Sequence, residues 1–299
     1  HLNVQPPVVL HMQGILGSVL KSYFPPSFFK SPITVFRSLL DLCFFKGSFY
    51  EYRKLLKRAK LAEVVSSKIE FYTGRTYLDY SFFSTRTKNA HYFKIQEVIR
   101  PVFFEKSYKI RSDKGLKIVS VISDNLFKGL RNIIDICEIL SSCEVNFEWS
   151  VIGINEYSKT LRDMGQIVSL NLLNLKFLGT CSGKEIVEIF DSSDIYFHPS
   201  QIENSSNSVA EALVYGIPVI TFDVGGMSSI LKNGSYGLLI PKDETTFAAQ
   251  KLLDIKVSLS NNSYDFSYLE SVRREFSHQV ILEKTLNMYN SILLTKNIL

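Results

Sequence analysis

From about residue 115 onward, short apolar runs alternate with segments whose apolar residues recur every three or four positions. The runs occupy 117–122, 147–153, 175–179, 194–200, 217–223 and 236–241. Runs of this length, bounded by Gly, Pro, Asn and Asp, predict strands buried on both faces. Helix-period segments separate them at 128–141, 156–168, 183–192, 208–215, 227–232 and 243–255. Strand and helix in regular alternation predict βαβ units and a parallel sheet covered on both sides. Two helical segments, 265–275 and 277–295, end the pattern without a strand between them.

The first hundred residues are less regular. "PPVVLHMQG" (6–14) predicts a buried strand and a glycine turn, 33–62 predicts two helices, and "KIEFYTGRT" (68–76) predicts another strand and turn. The stretch 105–115 is charged and sparse in apolar residues, as a linker is. The expected organisation is α/β. A sheet domain over 1–112 lacks its earlier units, a second spans 113–276, and a helix over 277–299 braces the two. The chain begins at His1, and the first domain is expected to be truncated.

Composition sharpens this picture in two places. The chain has 299 residues, 45% hydrophobic and 21% charged, and no apolar run approaches the ~18–20 residues that span a bilayer. Its Cys residues, Cys43, Cys137, Cys143 and Cys181, have no metal-ligand spacing and are expected to be buried thiols of a reducing compartment. Charge is uneven. Residues 1–112 carry 18 Lys/Arg against 7 Asp/Glu, and the remaining 187 carry 16 against 22. Within the first part, 19–60 holds nine Lys/Arg against two acids, with aromatics between them. Such a face suits an anionic membrane surface, or it is an ordinary helical face with solvated lysines. Nucleic acid is not expected, because no binding motif accompanies the charge. The expected location is cytoplasmic, peripheral on the inner face of the membrane.

The chemistry concentrates in "HPSQIENSSNSVAEALVYGIPVI" (198–220). This loop leaves the carboxyl end of a predicted parallel strand, where open α/β sheets bind ligands, and it feeds a helix beginning near Ser208. Free N–H groups and the dipole of that helix suit a phosphate. Ser205, Ser206, Asn207 and Ser208 are small enough for a ligand to approach the backbone. Glu211 is placed to accept hydrogen bonds from a ribose diol, and Glu203 to hold hydroxyls of whatever the phosphate carries. The structural alternative is a capping box, Ser208 with Glu211, and a solvated loop acid at Glu203.

The stretch resembles the nucleotide-sugar-dependent retaining glycosyltransferases of the B-type fold, specifically glycosyltransferase family 4. The matching pattern is Pro199, Ser200, Glu203, Asn207, Glu211, Ala212, Gly216, Pro218 and Val219, continued by "FDVGGMSSILKNGSYGLLIPKDE". The likeness covers 115–295 well and 1–112 weakly. It implies two Rossmann-like domains facing across a cleft, a nucleoside diphosphate sugar as donor, and a glycan or lipid-linked acceptor. It also implies retention of configuration without a metal, the departing phosphate taking the acceptor's proton, in polysaccharide assembly. By position, Glu203 would meet the donor sugar and Glu211 the ribose. The backbone from Ser206 through Ser208 to Val209 would meet the diphosphate.

Further pieces follow the same resemblance. "SVISDNLFKGLRN" makes Lys128 the expected diphosphate contact, against a solvated lysine at a helix start. Family members often carry Arg five residues earlier, where this chain has Ser123; Arg131 or a residue of the N-terminal domain is the expected substitute. Gly225 and Gly226 either form a plain turn or offer backbone donors to the sugar. "LHMQGIL" falls at the acceptor-side loop, with Gln13 and Gly14 as candidates and His11 two residues earlier. "YTGRTYLDYSFF" contributes Arg75 and Asp79, for which a structural ion pair is an equal reading. No D-x-D element, dinucleotide glycine loop or Walker A motif is present, so no metal or separate cofactor is expected. The competing functions are a non-catalytic, transferase-like partner subunit and another sugar-nucleotide enzyme such as an epimerase.

Overall fold

A computed structural model describes residues 7–24, 29, 32–87, 90–111, 115–163 and 174–296. Its described strands form two parallel sheets. The first has three, in the order β1 (Val9–His11), β2 (Phe71–Gly74) and β3 (His91–Lys94). The second has six: β4 (Leu116–Val121), β5 (Phe147–Ile152), β6 (Leu175–Gly179), β7 (Ile195–His198), β8 (Val219–Phe222) and β9 (Leu238–Ile240). Their spatial order is β6-β5-β4-β7-β8-β9. The six strands predicted from apolar runs are therefore all present, in the doubly wound order that places a topological switch point between β4 and β7.

Continuous apolar runs mark these strands because helices cover both faces. Ile195, Tyr196 and Phe197 of β7 and Val219, Ile220 and Phe222 of β8 have no exposed surface. The chain's single Trp, Trp149 on β5, is also fully buried. Its indole N–H donates to Ser120 Oγ at 3.0 Å, and Ser120 Oγ donates to the Phe197 carbonyl at 2.6 Å. That chain satisfies the buried polar atoms and ties β5, β4 and β7 together beneath the switch point.

The helices around the second sheet are α6 (Leu130–Ser142), α7 (Lys159–Asp163), α8 (Gly183–Asp191), α9 (Asn207–Tyr215), α10 (Met227–Ile230), α11 (Thr245–Ser260) and α12 (Leu269–Glu275). The predicted helix over 156–168 runs beyond α7 into residues outside the described set. Near the first sheet lie α1 (Leu16–Lys21), α2 (Pro32–Cys43), α3 (Gly47–Ser66) and α4 (Tyr77–Ser84). The short α5 (Val102–Glu105) follows β3, and Ile99 and Phe103 join the core of the second sheet. The last helix, α13 (His278–Thr295), returns to the first sheet. There Ile281, Met288 and Ile292 pack with Phe71 and Ile95. No described helix is long and apolar enough to cross a membrane.

Candidate active site

The loops at the switch point are locked by backbone contacts that only glycine permits. Gly129 has φ +82°, and a Cβ there would stand 1.8 Å from the Pro199 carbonyl oxygen. This close approach presses the loop after β4 onto the loop after β7. Gln201 N–H donates to the Phe127 carbonyl at 2.9 Å, and Asn132 Nδ2 donates to the Pro199 carbonyl at 3.1 Å. Gly225, at φ +58°, makes a second such approach: its Cβ would fall 1.9 Å from the Glu203 carbonyl oxygen. Gly226 N–H donates to that same carbonyl at 2.9 Å. Gly225 and Gly226 thus fix the backbone of residue 203, a structural role for which their turn is required.

Lys128 and Glu203 meet where these loops converge. Lys128 Nζ donates to Glu203 Oε2 at 2.6 Å. His198 Nε2 stands 3.4 Å from the same oxygen. Burial works against ionisation of Glu203, but the neighbouring imidazole and ammonium outweigh it and hold the carboxyl at about 2. Glu203 is therefore an anion at any ordinary pH and a poor base, suited to accepting hydrogen bonds. Burial keeps the His198 pKa below its usual value, with Glu203 opposing and Lys128 adding to the shift.

The helix after the loop begins at Asn207, and its cap corrects the sequence reading. Ser206 is the N-cap, its hydroxyl accepting from Val209 N–H, so that backbone donor is already engaged. Ser208 lies inside the helix, where its hydroxyl takes hydrogen bonds with Tyr196 at 2.8 Å and Ser206 at 2.9 Å. No Ser208–Glu211 capping box forms, because the cap sits two residues earlier, at Ser206, which puts Glu211 beyond its reach. Glu211 instead holds Arg100: Nε donates to Oε1 at 2.8 Å and Nη2 to Oε2 at 2.9 Å. That fork was not anticipated; Arg100 carries no local signal, and only the fold brings it 111 positions to its partner.

Arg75 and Asp79 also behave differently from a simple ion pair. Asp79 forms a capping box with Thr76 at the start of α4, and its Oδ2 accepts from the Arg75 backbone N–H at 2.8 Å. The Arg75 side chain, in contrast, crosses to the second sheet. Its Nη1 donates to Asn207 Oδ1 at 2.6 Å and lies 3.4 Å from Glu97 Oε2. Thr76 Oγ1 donates to Asn204 Oδ1 at 2.9 Å beside it.

A cavity of about 1030 Å³ opens on the side of the first sheet. Gln13, Gly14, His11, α1 and one face of α3 line it, and Lys128, Glu203 and Asn204 form its far wall. Gly14 has open space where a side chain would stand. Glu211, Asn207, Arg75 and the Gly225–Gly226 turn do not line this cavity, so the predicted residues fall into two groups around the 198–207 loop. Among the described residues, buried side-chain atoms without a hydrogen-bond partner gather at this loop: Arg75 Nε, Ser200 Oγ, Asn204 Nδ2 and Ser205 Oγ. Such unsatisfied groups are costly unless something else binds them. No cluster of three or more potential metal-ligating side chains exists among the described residues.

Residues 103–258, more than half the chain, match the family described as glycosyl transferases group 1. The chain belongs to that family. Among curated relatives, the putative colanic acid biosynthesis glycosyltransferase WcaL of Salmonella typhimurium is 24% identical over 59% of this chain and 45% of its own length. The capsular polysaccharide biosynthesis glycosyltransferase CapM of Staphylococcus aureus is 23% identical over 63% of this chain and 49% of its own. The chain thus spans about half the length of these family members. Of solved structures, sucrose-phosphate synthase from Thermosynechococcus elongatus superposes with a TM-score of 0.67 at 14% identity, covering 96% of this chain and 68% of that one. Anabaena HepE in complex with UDP gives 0.62 at 16%, covering 95% and 72%. These likenesses establish the fold as the B-type glycosyltransferase arrangement of parallel-sheet α/β units.

Proposed function

We propose that this group 1 chain takes part in moving a sugar from a nucleoside diphosphate sugar, of the UDP or GDP type, to a glycan or lipid-linked acceptor in cell-surface polysaccharide synthesis. The observation that carries the reading is the Lys128–Glu203 pair at the switch point, with unpartnered polar atoms gathered around it. A diphosphate at the start of α9 meets the first-turn N–H groups of Asn207 and Ser208, which have no acceptor within the helix. Lys128 turns from Glu203 toward the phosphate as negative charge grows on the leaving group, which is electrostatic stabilisation of the transition state. Glu203, freed on one oxygen, accepts from the sugar hydroxyls. Glu211 receives the ribose; Arg100 uses two of its roughly four acceptor sites, leaving room for a diol.

The acceptor enters through the cavity between Gln13, Gly14 and Glu203. With no effective side-chain base at Glu203, the proton of the acceptor hydroxyl goes to the departing phosphate, on the same face, with retention of configuration as in glycosyltransferase family 4. The reading assigns no metal. The exposed aromatic residues of α2 and its following turn, Phe36, Phe44 and Phe45, flanked by Lys46, support a peripheral seat on an anionic membrane from the cytoplasmic side. The proposed division into 1–112, 113–276 and 277–299 gives donor and acceptor separate walls.

The direct test is release of UDP or GDP from a panel of nucleotide sugars, with and without lipid-linked acceptors. One donor should be turned over, and Glu203→Gln should lower the rate by about 100-fold or more. Failure of the wild-type chain to bind any nucleotide sugar would instead favour the non-catalytic partner.

A further inference from the structure

The charge at the phosphate end of this site does not balance with Lys128 alone. Lys128 is paired with Glu203 at 2.6 Å, and Arg131 with Asp135 on its own helix. A nucleoside diphosphate brings several negative charges to a helix start whose own contribution is about half a positive charge. Among the described residues, one further cation hydrogen-bonds that helix start: Arg75, whose Nη1 lies 2.6 Å from Oδ1 of Asn207, the first residue of α9.

Arg75 has the marks of a group held for a ligand. It is 5% exposed, yet its Nε has no hydrogen-bond partner. Two other unpartnered buried atoms, Asn204 Nδ2 and Ser205 Oγ, lie in the loop just before α9, and a third, Asp79 Oδ1, in the turn that carries Arg75. Its guanidinium is also aimed rather than free, since Asp79 fixes the Arg75 backbone N–H and Glu97 steadies Nη1 at 3.4 Å. A planar fork with spare donors matches phosphate oxygens in two directions at once.

We infer that Arg75, reaching over from the three-stranded sheet, is the second cation of the diphosphate site, so that the donor site is complete only when both sheets contribute. This rests on the function proposed above. It gives the G-R-T-x-x-D stretch a division of labour: Asp79 and Thr76 build the turn, and Arg75 reads the ligand.

The test is calorimetric titration of the 299-residue chain and its Arg75→Gln and Arg75→Lys variants. The probes are UDP, GDP, UMP, GMP and inorganic pyrophosphate, with thermal unfolding recorded alongside. Arg75→Gln is expected to weaken the preferred nucleoside diphosphate and pyrophosphate by about 30-fold, and the matching monophosphate by less than about threefold. Arg75→Lys keeps the charge but not the fork, with about a fivefold diphosphate-selective loss; it decides the matter if the Gln variant does not fold. Equal losses for mono- and diphosphate, or no loss, would show a strut between sheets and overturn the inference while leaving the proposed function intact. A wild-type chain that binds none of the five probes would overturn both.

Discussion

Around the six-stranded sheet the core is continuous from Ile99 to Phe276, with Trp149, Tyr196, Phe197 and Phe222 fully buried. Beside the three-stranded sheet the buried cluster is Phe71, Ile95, Ile281, Met288 and Ile292, more than half of it supplied by α13. The helices on that side leave apolar residues in the open: Phe36, Phe44 and Phe45 are 64%, 72% and 75% exposed. The family match at 103–258 covers the well-packed sheet and excludes the other. One wall of the site is thus preorganised by tight backbone contacts, and the other leaves large apolar side chains exposed.

The sharpest way to break this contrast is to disturb the tight wall. Gly129→Ala and Gly225→Ala each place a methyl group where a carbonyl oxygen already sits, at 1.8 and 1.9 Å, in backbone with positive φ. Each should cost about 4 kcal/mol in chemical denaturation and abolish nucleotide binding. Gly14→Ala, facing open space in the other wall, should cost a few tenths of a kcal/mol at most. Comparable losses at all three glycines would mean that the two walls are equally rigid.

Glu203 gives the next largest effect, and its pH dependence has a definite sign. Its carboxyl is depressed to about 2 from 4.5 in the unfolded chain, where His198 and Lys128 outweigh burial. The stabilisation is therefore complete above pH 4.5 and is lost as pH falls toward 2, on the order of 3 kcal/mol in total. Unfolding of wild type and Glu203→Gln should differ most near pH 6 and converge only as pH falls to about 2. A gap independent of pH would show that the pair adds nothing to the folded state.

Much of the tight wall was legible in the sequence because burial on both faces writes itself as continuous apolar runs; 175–179 coincides with β6 residue for residue. The strand β3, "HYFK", escaped that reading, since it is short and exposed at both ends. So did α1, α4 and α5. The cap slipped by two residues because Ser206 and Ser208 are equally good cap formers and only the backbone chooses between them. Arg75 with Asn207 and Arg100 with Glu211 were beyond any local pattern. Each joins residues more than a hundred positions apart, and their meeting depends on how the sheets face one another.

Arg100 sharpens the comparison from the seam between the walls. Its side chain is 46% exposed, so solvent screens the fork with Glu211 and Arg100→Ala should cost only about 1 kcal/mol. Removing it frees the Glu211 carboxylate for the ribose, and affinity for the preferred nucleoside diphosphate should rise about threefold. A loss of affinity would instead make Arg100 a ligand of the nucleotide itself.

The smallest effect on stability is expected where the open wall is most apolar. Phe45 has φ +56°, a left-handed conformation that costs a residue with a side chain about 1 kcal/mol and that Asn tolerates better. Phe44 and Phe45 are three-quarters exposed, and Lys46 beside them has two-thirds of its side chain in solvent. Folding gains little from rings so exposed, Phe45 meeting the Tyr50 ring edge-on at 5.9 Å and Phe44 the Lys46 ammonium at 5.7 Å, so Phe44→Ser with Phe45→Asn should leave stability unchanged or raise it by about 0.5 kcal/mol. An anionic bilayer would gain from those rings and from the cation together. Co-sedimentation with vesicles of anionic phospholipid should then fall by about tenfold in the double variant, with neutral vesicles bound weakly by both forms. Unchanged sedimentation of a well-folded variant would assign this face to the acceptor or to another protein, and the open wall would no longer be a membrane seat.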